Sequence, residues 1–295
     1  MLRRRLRAPL RRVKAALCAV ALLATPLAAV ASPRQPWETF LNPPPLPHAE
    51  LEGWLSHDGA RIWFESFGAG PPVVLLHPAG GDGGDFGFQV PALIAAGRRV
   101  IVIDSRGQGH SSGDGRPLAY GRMEGDVLAV MDALAIPKAD VVGWSDGAIL
   151  GLIMAMRQPD RVSRLFAFGL NTNLQGLEPD WKSAPILDRL YDWERARYLR
   201  IAPAPWRFED MADDIDQLVT TAPNFTAAEL AAVHGPAIAV VDGEHEELIR
   251  PEHTRYIAHA IPGARLIILP GVSHFAPIQA PDAFNAAMLA FLDGR

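Results

Sequence analysis

The sequence predicts a doubly wound α/β protein, in which a mostly parallel sheet carries helices on both faces and a helical segment is inserted late in the chain. Three observations carry this prediction. From about residue 50 onward, short β-branched runs alternate with segments of helical apolar spacing. The runs are apolar at consecutive positions, as in strands buried on both faces. The alternation lapses over residues 171–235, where no β-rich run occurs, and resumes afterwards. At 295 residues and 49% apolar composition, the chain has material for one large domain of this kind or two small ones.

The first 31 residues stand outside that pattern. Arg3, Arg4, Arg5, Arg7, Arg11, Arg12 and Lys14 form a basic start, Ala15 to Ala28 an apolar stretch, and Ala29-Val30-Ala31 an A-x-A cleavage site. We read 1–31 as a signal peptide, with the mature protein beginning at Ser32 and exported to the periplasm or secreted. The apolar run, about fourteen residues, is too short for a bilayer-spanning helix, so no stable membrane association is expected once the signal is removed. The adjacent arginines raise a twin-arginine route, but no Ser or Thr precedes them, and the route stays open. Cys18 is the sole cysteine and leaves with this segment, so disulfides, Cys-ligated zinc and a cysteine nucleophile are excluded together. Losing seven basic residues and no acidic one takes the formal charge from −5 to −12, which argues against a nucleic-acid partner.

Residues 32–49 carry Pro33, Pro36, Pro43, Pro44, Pro45 and Pro47, the composition of an extended, polyproline-like lead-in, expected as a tether. Leu51–Leu55 and Arg61–Ser66 flank His57-Asp58-Gly59 and predict a hairpin. Val73–Leu76 and Val100–Ile103 predict buried strands, Met123–Leu134 a helix, Val141-Val142 the end of a strand, Ala148–Met156 an apolar helix and Leu165–Phe168 a strand. Residues 171–235 are expected as a helical lid, its last helix opened by a Thr226/Glu229 capping box. Ala237–Val241 and Leu266–Leu269 then predict strands, with helices at Glu252–Ala260 and Ala283–Phe291. Residues 50–170 and 236–295 thus form the expected core.

The chemistry concentrates in Val141-Val142-Gly143-Trp144-Ser145-Asp146-Gly147, a G-x-S-x-G run placed directly after a strand and directly before a helix. A sharp strand-to-helix turn needs glycines on either side and raises the Ser145 hydroxyl above the sheet. A serine hydroxyl is a weak nucleophile near neutral pH, so it needs a base and an acid to orient that base. His274 lies in the loop after the last strand, where the base belongs. The acid belongs after the preceding strand, where Val241-Asp242-Gly243-Glu244-His245-Glu246-Glu247 offers four carboxylates. H-E-x-x-H is absent, because position 249 is Ile249, and no metal or other cofactor is expected.

At this point the chain resembles the α/β-hydrolase superfamily, over roughly residues 50 to 293. The resemblance implies an eight-stranded sheet and a triad in the order Ser, acid, His. The family's strand followed by G-x-x-D selects Glu246, with Glu for the usual Asp; Glu247 and Asp242 are the fallbacks. Leu75-Leu76-His77-Pro78-Ala79-Gly80-Gly81 is similar to the family's H-G-x oxyanion loop. Pro78 has no N–H, so Ala79 is the expected donor, joined by the backbone N–H of Asp146. The glycines at 80, 81, 83 and 84 do not form a phosphate loop, since no G-K-[ST] follows and Asp82 and Asp85 would repel an anion. Asp104-Ser105-Arg106-Gly107-Gln108-Gly109-His110-Ser111 resembles a structural family loop.

The G-W-S-D-G run resembles the branch of cofactor-free bromoperoxidase-like hydrolases, enol-lactonases and valacyclovirase-like amino-acid ester hydrolases. It implies hydrolysis of a small carboxylic ester or lactone. Alternatives are cofactor-free perhydrolysis, cleavage of amino-acid esters with Asp146 facing the amine, and a catalytically silent binding protein. An Asp nucleophile, needed for dehalogenase or epoxide-hydrolase chemistry, is absent at position 145. Trp144, Asp146 and Phe275 are the expected substrate contacts, with Phe86, Phe88 and Trp181 as further pocket candidates. The partner is a small-molecule substrate, and oligomeric state is open.

Overall fold

A computed structural model describes residues 35–295; the expected signal peptide and its Cys18 lie outside the described residues. The hairpin forms from β1 (Leu51–His57) and β2 (Ala60–Phe67), joined through Asp58 and Gly59 at φ 41° and 82°, the positive values that a right-twisted two-residue turn requires. There follow β3 (Pro72–Leu76), α1 (Gln89–Ala95), β4 (Arg99–Ile103), α2 (Tyr120–Ala133), β5 (Ala139–Trp144), α3 (Asp146–Arg157) and β6 (Val162–Phe168). Residues 171–235 hold 3₁₀ turns and the helices α4 (Pro185–Ile201), α5 (Phe208–Val219) and α6 (Ala227–Ala231). The chain closes with β7 (Ala237–Gly243), α7 (Pro251–Ala260), β8 (Arg265–Leu269), α8 (Ala276–Gln279) and α9 (Pro281–Leu292).

The eight strands form one sheet in the order β1-β2-β4-β3-β5-β6-β7-β8. β1 and β2 pair antiparallel, β2 meets β4 antiparallel, and every later pairing is parallel. The chain turns outward from β3 to β4 and then crosses to β5 on the other side. That reversal opens a crevice at the carboxyl ends of β3 and β5, where ligands of open α/β sheets bind.

Alternation along the strands builds two cores. Val74, Leu76, Ile101, Val141 and Leu165 pack on one face beneath α2, α3 and α7; Val73, Leu75, Val102, Val142 and Phe166 pack on the other with Phe284, Met288 and Phe291 of α9. Helix α3 buries ten of its twelve residues, which explains its apolar run without amphipathic spacing. Each fully buried Leu or Ile there contributes about 1.5–3 kcal/mol, so this helix is firmly seated under the crevice. The α6 capping box forms as its sequence predicts: Thr226 Oγ1 accepts from Glu229 N at 3.2 Å, and Glu229 Oε2 accepts from Thr226 N at 2.8 Å.

The described part of the lead-in departs from the expected tether, because its backbone finds partners. Leu41 N donates to Ile278 O at 2.8 Å, Gln279 Nε2 donates to Trp37 O at 2.7 Å, and Arg189 Nη1 on α4 donates to Glu38 O at 3.0 Å. The Trp37 ring stacks on His245 at 3.7 Å, and Phe40 lies beside Phe275. Prolines gave this segment its extended shape, and aromatic burial docks it. Among the described residues, no helix is long and apolar enough to cross a membrane.

Candidate active site

Ser145 sits at the junction of β5 and α3 with φ 55°, a conformation a non-glycine residue holds only under constraint. Its N–H donates to Phe168 O at 2.8 Å, and its carbonyl accepts from Ala148 N at 2.8 Å, the first bond of α3. The flanking glycines are required by contact: a Cβ on Gly147 would overlap the Leu76 carbonyl, and one on Gly143 the Gly147 carbonyl. The strand-to-helix turn therefore needs glycine at both sites, and the strain falls on Ser145.

His274 and Glu246 arrive from the loops after β8 and β7. His274 Nδ1 lies 2.9 Å from Glu246 Oε2 and 3.0 Å from Oε1, and both side chains are almost wholly buried. Glu246 Oε1 also accepts from the backbone N–H of Leu248 at 2.8 Å and Ile249 at 3.0 Å, which fixes the carboxyl plane. Burial pushes the Glu246 carboxyl up to about 7, with the Glu247 charge adding to the rise and its hydrogen-bond donors opposing it. Burial pushes His274 below its ordinary value, against the neighbouring carboxylates. Both fallback acids have other work. Glu247 Oε2 accepts from the backbone N–H of His274 at 3.0 Å, and Asp242 Oδ2 accepts from Thr254 Oγ1 at 2.6 Å. Asp242 is held well above the carboxylate range by burial and by Glu246 beside it.

Ser145, Ala79, Asp146, His274 and Phe275 line one cavity of about 530 Å³, roofed by Trp181, Leu187, Leu190, Tyr191, Phe208 and Met211 from the helical segment. In the loop after β3, the Gly80 N–H is taken by Gln108 Oε1 at 2.8 Å and the Gly81 N–H by Pro78 O at 3.1 Å, leaving Ala79 as the loop's donor toward the cavity. His77 braces the loop: its Nδ1 donates to Pro78 O at 2.7 Å and its Nε2 accepts from Ser105 N at 2.9 Å.

Trp144 is a correction. It lies in the core on the far side of the sheet from α3, 1% exposed, and its indole N–H donates to His274 O at 2.9 Å. The alternation of β5 turns position 144 away from the cavity, so Trp144 supports the His274 loop and does not reach substrate. Phe86 is core as well, and Phe88 packs against the same core; neither lines the cavity, whereas Trp181 and Phe275 do. The Asp104 loop is a brace: Asp104 Oδ1 accepts from Gly83 N at 2.7 Å, Oδ2 from His110 N at 2.7 Å, and Arg106 grips Asp126 at 2.6 Å through two nitrogens.

Three residues that sequence reasoning missed also line the cavity. The Tyr120 hydroxyl donates to Asp146 Oδ1 at 2.9 Å, Asn171 follows β6, and Glu194 reaches in from α4. Burial pushes Asp146 up to about 6, with the Tyr120 hydrogen bond opposing. Asp242, Glu246 and His274 are the one group of His and carboxylate side chains among the described residues whose ligand atoms lie close enough for a metal, within 4.8 Å of one another. Its His274 Nδ1 is engaged by Glu246.

Residues 73–287 match the model of the alpha/beta hydrolase family. The putative carbamate hydrolase RutD of Azorhizobium caulinodans is 28% identical over 80% of this chain and 97% of its own. The human serine hydrolase BPHL is 27% identical over 80% of this chain and 84% of its own. The crystal structure of the enol-lactonase from Burkholderia xenovorans superposes with a TM-score of 0.66 at 25% identity, covering 82% of this chain and all of that one.

Proposed function

Because the chain belongs to the alpha/beta hydrolase family, we propose that it is a serine hydrolase that cleaves a small carboxylic ester or lactone through an acyl-enzyme. The observation that carries the reading is His274 Nδ1 within 2.9 Å of a buried Glu246 while His274 shares a cavity with Ser145. Glu246 holds the imidazole with its proton on Nδ1, so Nε2 is the free base. Ser145 Oγ attacks the substrate carbonyl and passes its proton to Nε2. The oxyanion forms against the N–H groups of Ala79 and Asp146, the latter at the N-terminus of the buried helix α3, where the backbone dipole adds positive potential. His274 then returns the proton to the departing oxygen, which leaves from an ester or stays tethered in a lactone. Water activated by the same Nε2 attacks the acyl-Ser145 bond and regenerates the serine.

The helices of 171–235 act as a lid that excludes water and sets the acyl and alcohol groups accepted. The relatives support hydrolysis and a small substrate: one is an enol-lactonase and another a serine hydrolase by name. The protein acts after export, with 1–31 removed; amino-terminal sequencing of the released form checks cleavage before Ser32. The test of the reaction is a chain-length series of p-nitrophenyl esters with a lactone panel, run on the wild type, Ser145→Ala and His274→Ala. Each variant is expected to retain only the roughly 10³–10⁴-fold enhancement over water that binding and the oxyanion site supply. Near-normal turnover in either removes the mechanism.

A further inference from the structure

Helix α4 carries two stripes with different work. Leu187, Leu190, Tyr191 and Glu194, spaced i, i+3, i+4 and i+7, line the proposed substrate cavity. Arg189, Trp193 and Arg197, spaced by four, form the second stripe, and each of them is held. Arg197 is gripped by Asp82 and Asp85 beyond the oxyanion loop, and its guanidinium lies 4.4 Å over the Trp193 ring. The hold on Arg189 and Trp193 comes from the docked lead-in. Arg189 Nη1 donates to Glu38 O at 3.0 Å, its guanidinium lies 4.8 Å over the Phe40 ring, and Phe40 meets Trp193 with ring centres 6.0 Å apart.

On its other side the lead-in is fixed to the loops that carry the triad. Trp37 stacks on His245, the residue before Glu246. Trp37 O accepts from Gln279 Nε2 at 2.7 Å, and Gln279 Oε1 accepts in turn from the backbone N–H of Ser273, the residue before His274, at 2.9 Å. Leu41 N donates to Ile278 O, and Phe40 lies 6.4 Å from the cavity-lining ring of Phe275. Residues 37–41 therefore tie the loops around Glu246 and His274 to the roof helix. They lie outside residues 73–287, so the family match does not account for this brace. A charged donor on a carbonyl and a cation over a ring are both strong contacts for a half-buried surface, and both meet at Arg189. Without them the stretch with Leu187 and Leu190 is tied to the core by apolar packing alone, chiefly at the buried Ile186.

We propose that residues 37–41 clamp α4 over the cavity and that Arg189 and Phe40 are specificity-determining residues, which limit the length of acyl chain the cavity accepts. The effect on selectivity rests on the serine hydrolase reading; the clamp itself rests only on the contacts.

Two measurements on the full chain separate the claims. The first is hydrogen exchange, which needs no turnover. Arg189→Met keeps the apolar stem and loses both contacts, so exchange over Pro185–Ile201 is expected to speed by about tenfold or more while α3 stays protected. Phe40→Ala acts in the same direction, and Arg189→Lys, which still offers a cation to Glu38 O and Phe40, stays nearer to wild type. Wild-type exchange of α4 in Arg189→Met overturns the clamp, and so does equal acceleration of α3, which marks general destabilisation. The second compares kcat/KM for p-nitrophenyl decanoate with that for p-nitrophenyl butyrate. Acceptance of a chain longer than the clamped roof accommodates scales with the open fraction, so the decanoate-to-butyrate ratio is expected to rise about fivefold or more in Arg189→Met and less in Arg189→Lys. A ratio that is unchanged or falls overturns the specificity role. Absence of turnover with both esters counts against the hydrolase reading alone, since the exchange still decides the clamp.

Discussion

Replacing Glu246 by Gln probes the geometry at its most specific point. Glu246 Oε1 accepts two backbone N–H groups, from Leu248 and Ile249, while Oε2 faces His274 Nδ1 at 2.9 Å. A glutamine must leave its one oxygen with the two backbone donors, since an amide N–H there would leave both unpaired in a buried site. Its NH₂ then replaces Oε2, the nearer partner of Nδ1, while Oε1, 3.0 Å from Nδ1, is already shared with the two backbone donors, so the imidazole is driven toward the tautomer with the proton on Nε2, which cannot accept the Ser145 proton. A wrong-tautomer histidine costs about 10⁴-fold in kcat, roughly 5.4 kcal/mol at 1.36 kcal/mol per decade. Glu247→Gln differs. Its carboxyl accepts only the His274 N–H, at 3.0 Å, a bond an amide oxygen can still make, so its kcat stays within about tenfold of wild type. Steady-state kinetics on a p-nitrophenyl ester read both values. The reverse ranking, or a Glu246→Gln variant within about tenfold of wild type, refutes the argument.

Three further predictions follow from the same contacts. The base works with Glu246 ionised and His274 neutral; burial lifts the carboxyl to about 7 and lowers the imidazole, so log kcat/KM falls with unit slope as pH drops through about 7, and a profile flat to about pH 5 contradicts this. Gly147→Ala drives a Cβ into the Leu76 carbonyl and is expected to cost more than about 4 kcal/mol in denaturant unfolding, whereas a loss under about 1 kcal/mol disproves the packing argument. Arg197→Met strands Asp82 and Asp85 in a buried setting, with the three side chains 13%, 8% and 2% exposed; it should destabilise the protein by about 3–5 kcal/mol, and a stability equal to wild type contradicts that.

Much of this was legible in the chain because the central strands are buried on both faces and read as continuous apolar runs. Strands such as Val73–Leu76 and Val100–Ile103 were readable as β-branched runs, and β5 and α3 were fixed by the glycines around Ser145. The nucleophile loop was legible for a steric reason, since only glycine fits at 143 and 147. The choice among carboxylates near 246 came from resemblance rather than from the residues themselves, because direction after a strand end is set by loop backbone. Trp144 was misjudged because a residue adjacent to the nucleophile in sequence faces the opposite side of the sheet. Glu194 could not be seen, since the orientation of α4 over the sheet depends on tertiary contacts such as Arg197 with Asp82 and Asp85 that no local pattern records. The docked lead-in was hidden for a similar reason: prolines announce an extended backbone but not the wall that Trp37 and Phe40 lean on.

The central claim is that Ser145 is the nucleophile, activated by His274. It is tested most directly by treating the protein with a fluorophosphonate and locating the adduct by peptide mass spectrometry. A single adduct on the peptide containing Ser145 is expected, absent in Ser145→Ala and strongly slowed in His274→Ala, with esterase activity lost in step with labelling. No adduct, or an adduct on another residue with activity surviving in Ser145→Ala, contradicts the account.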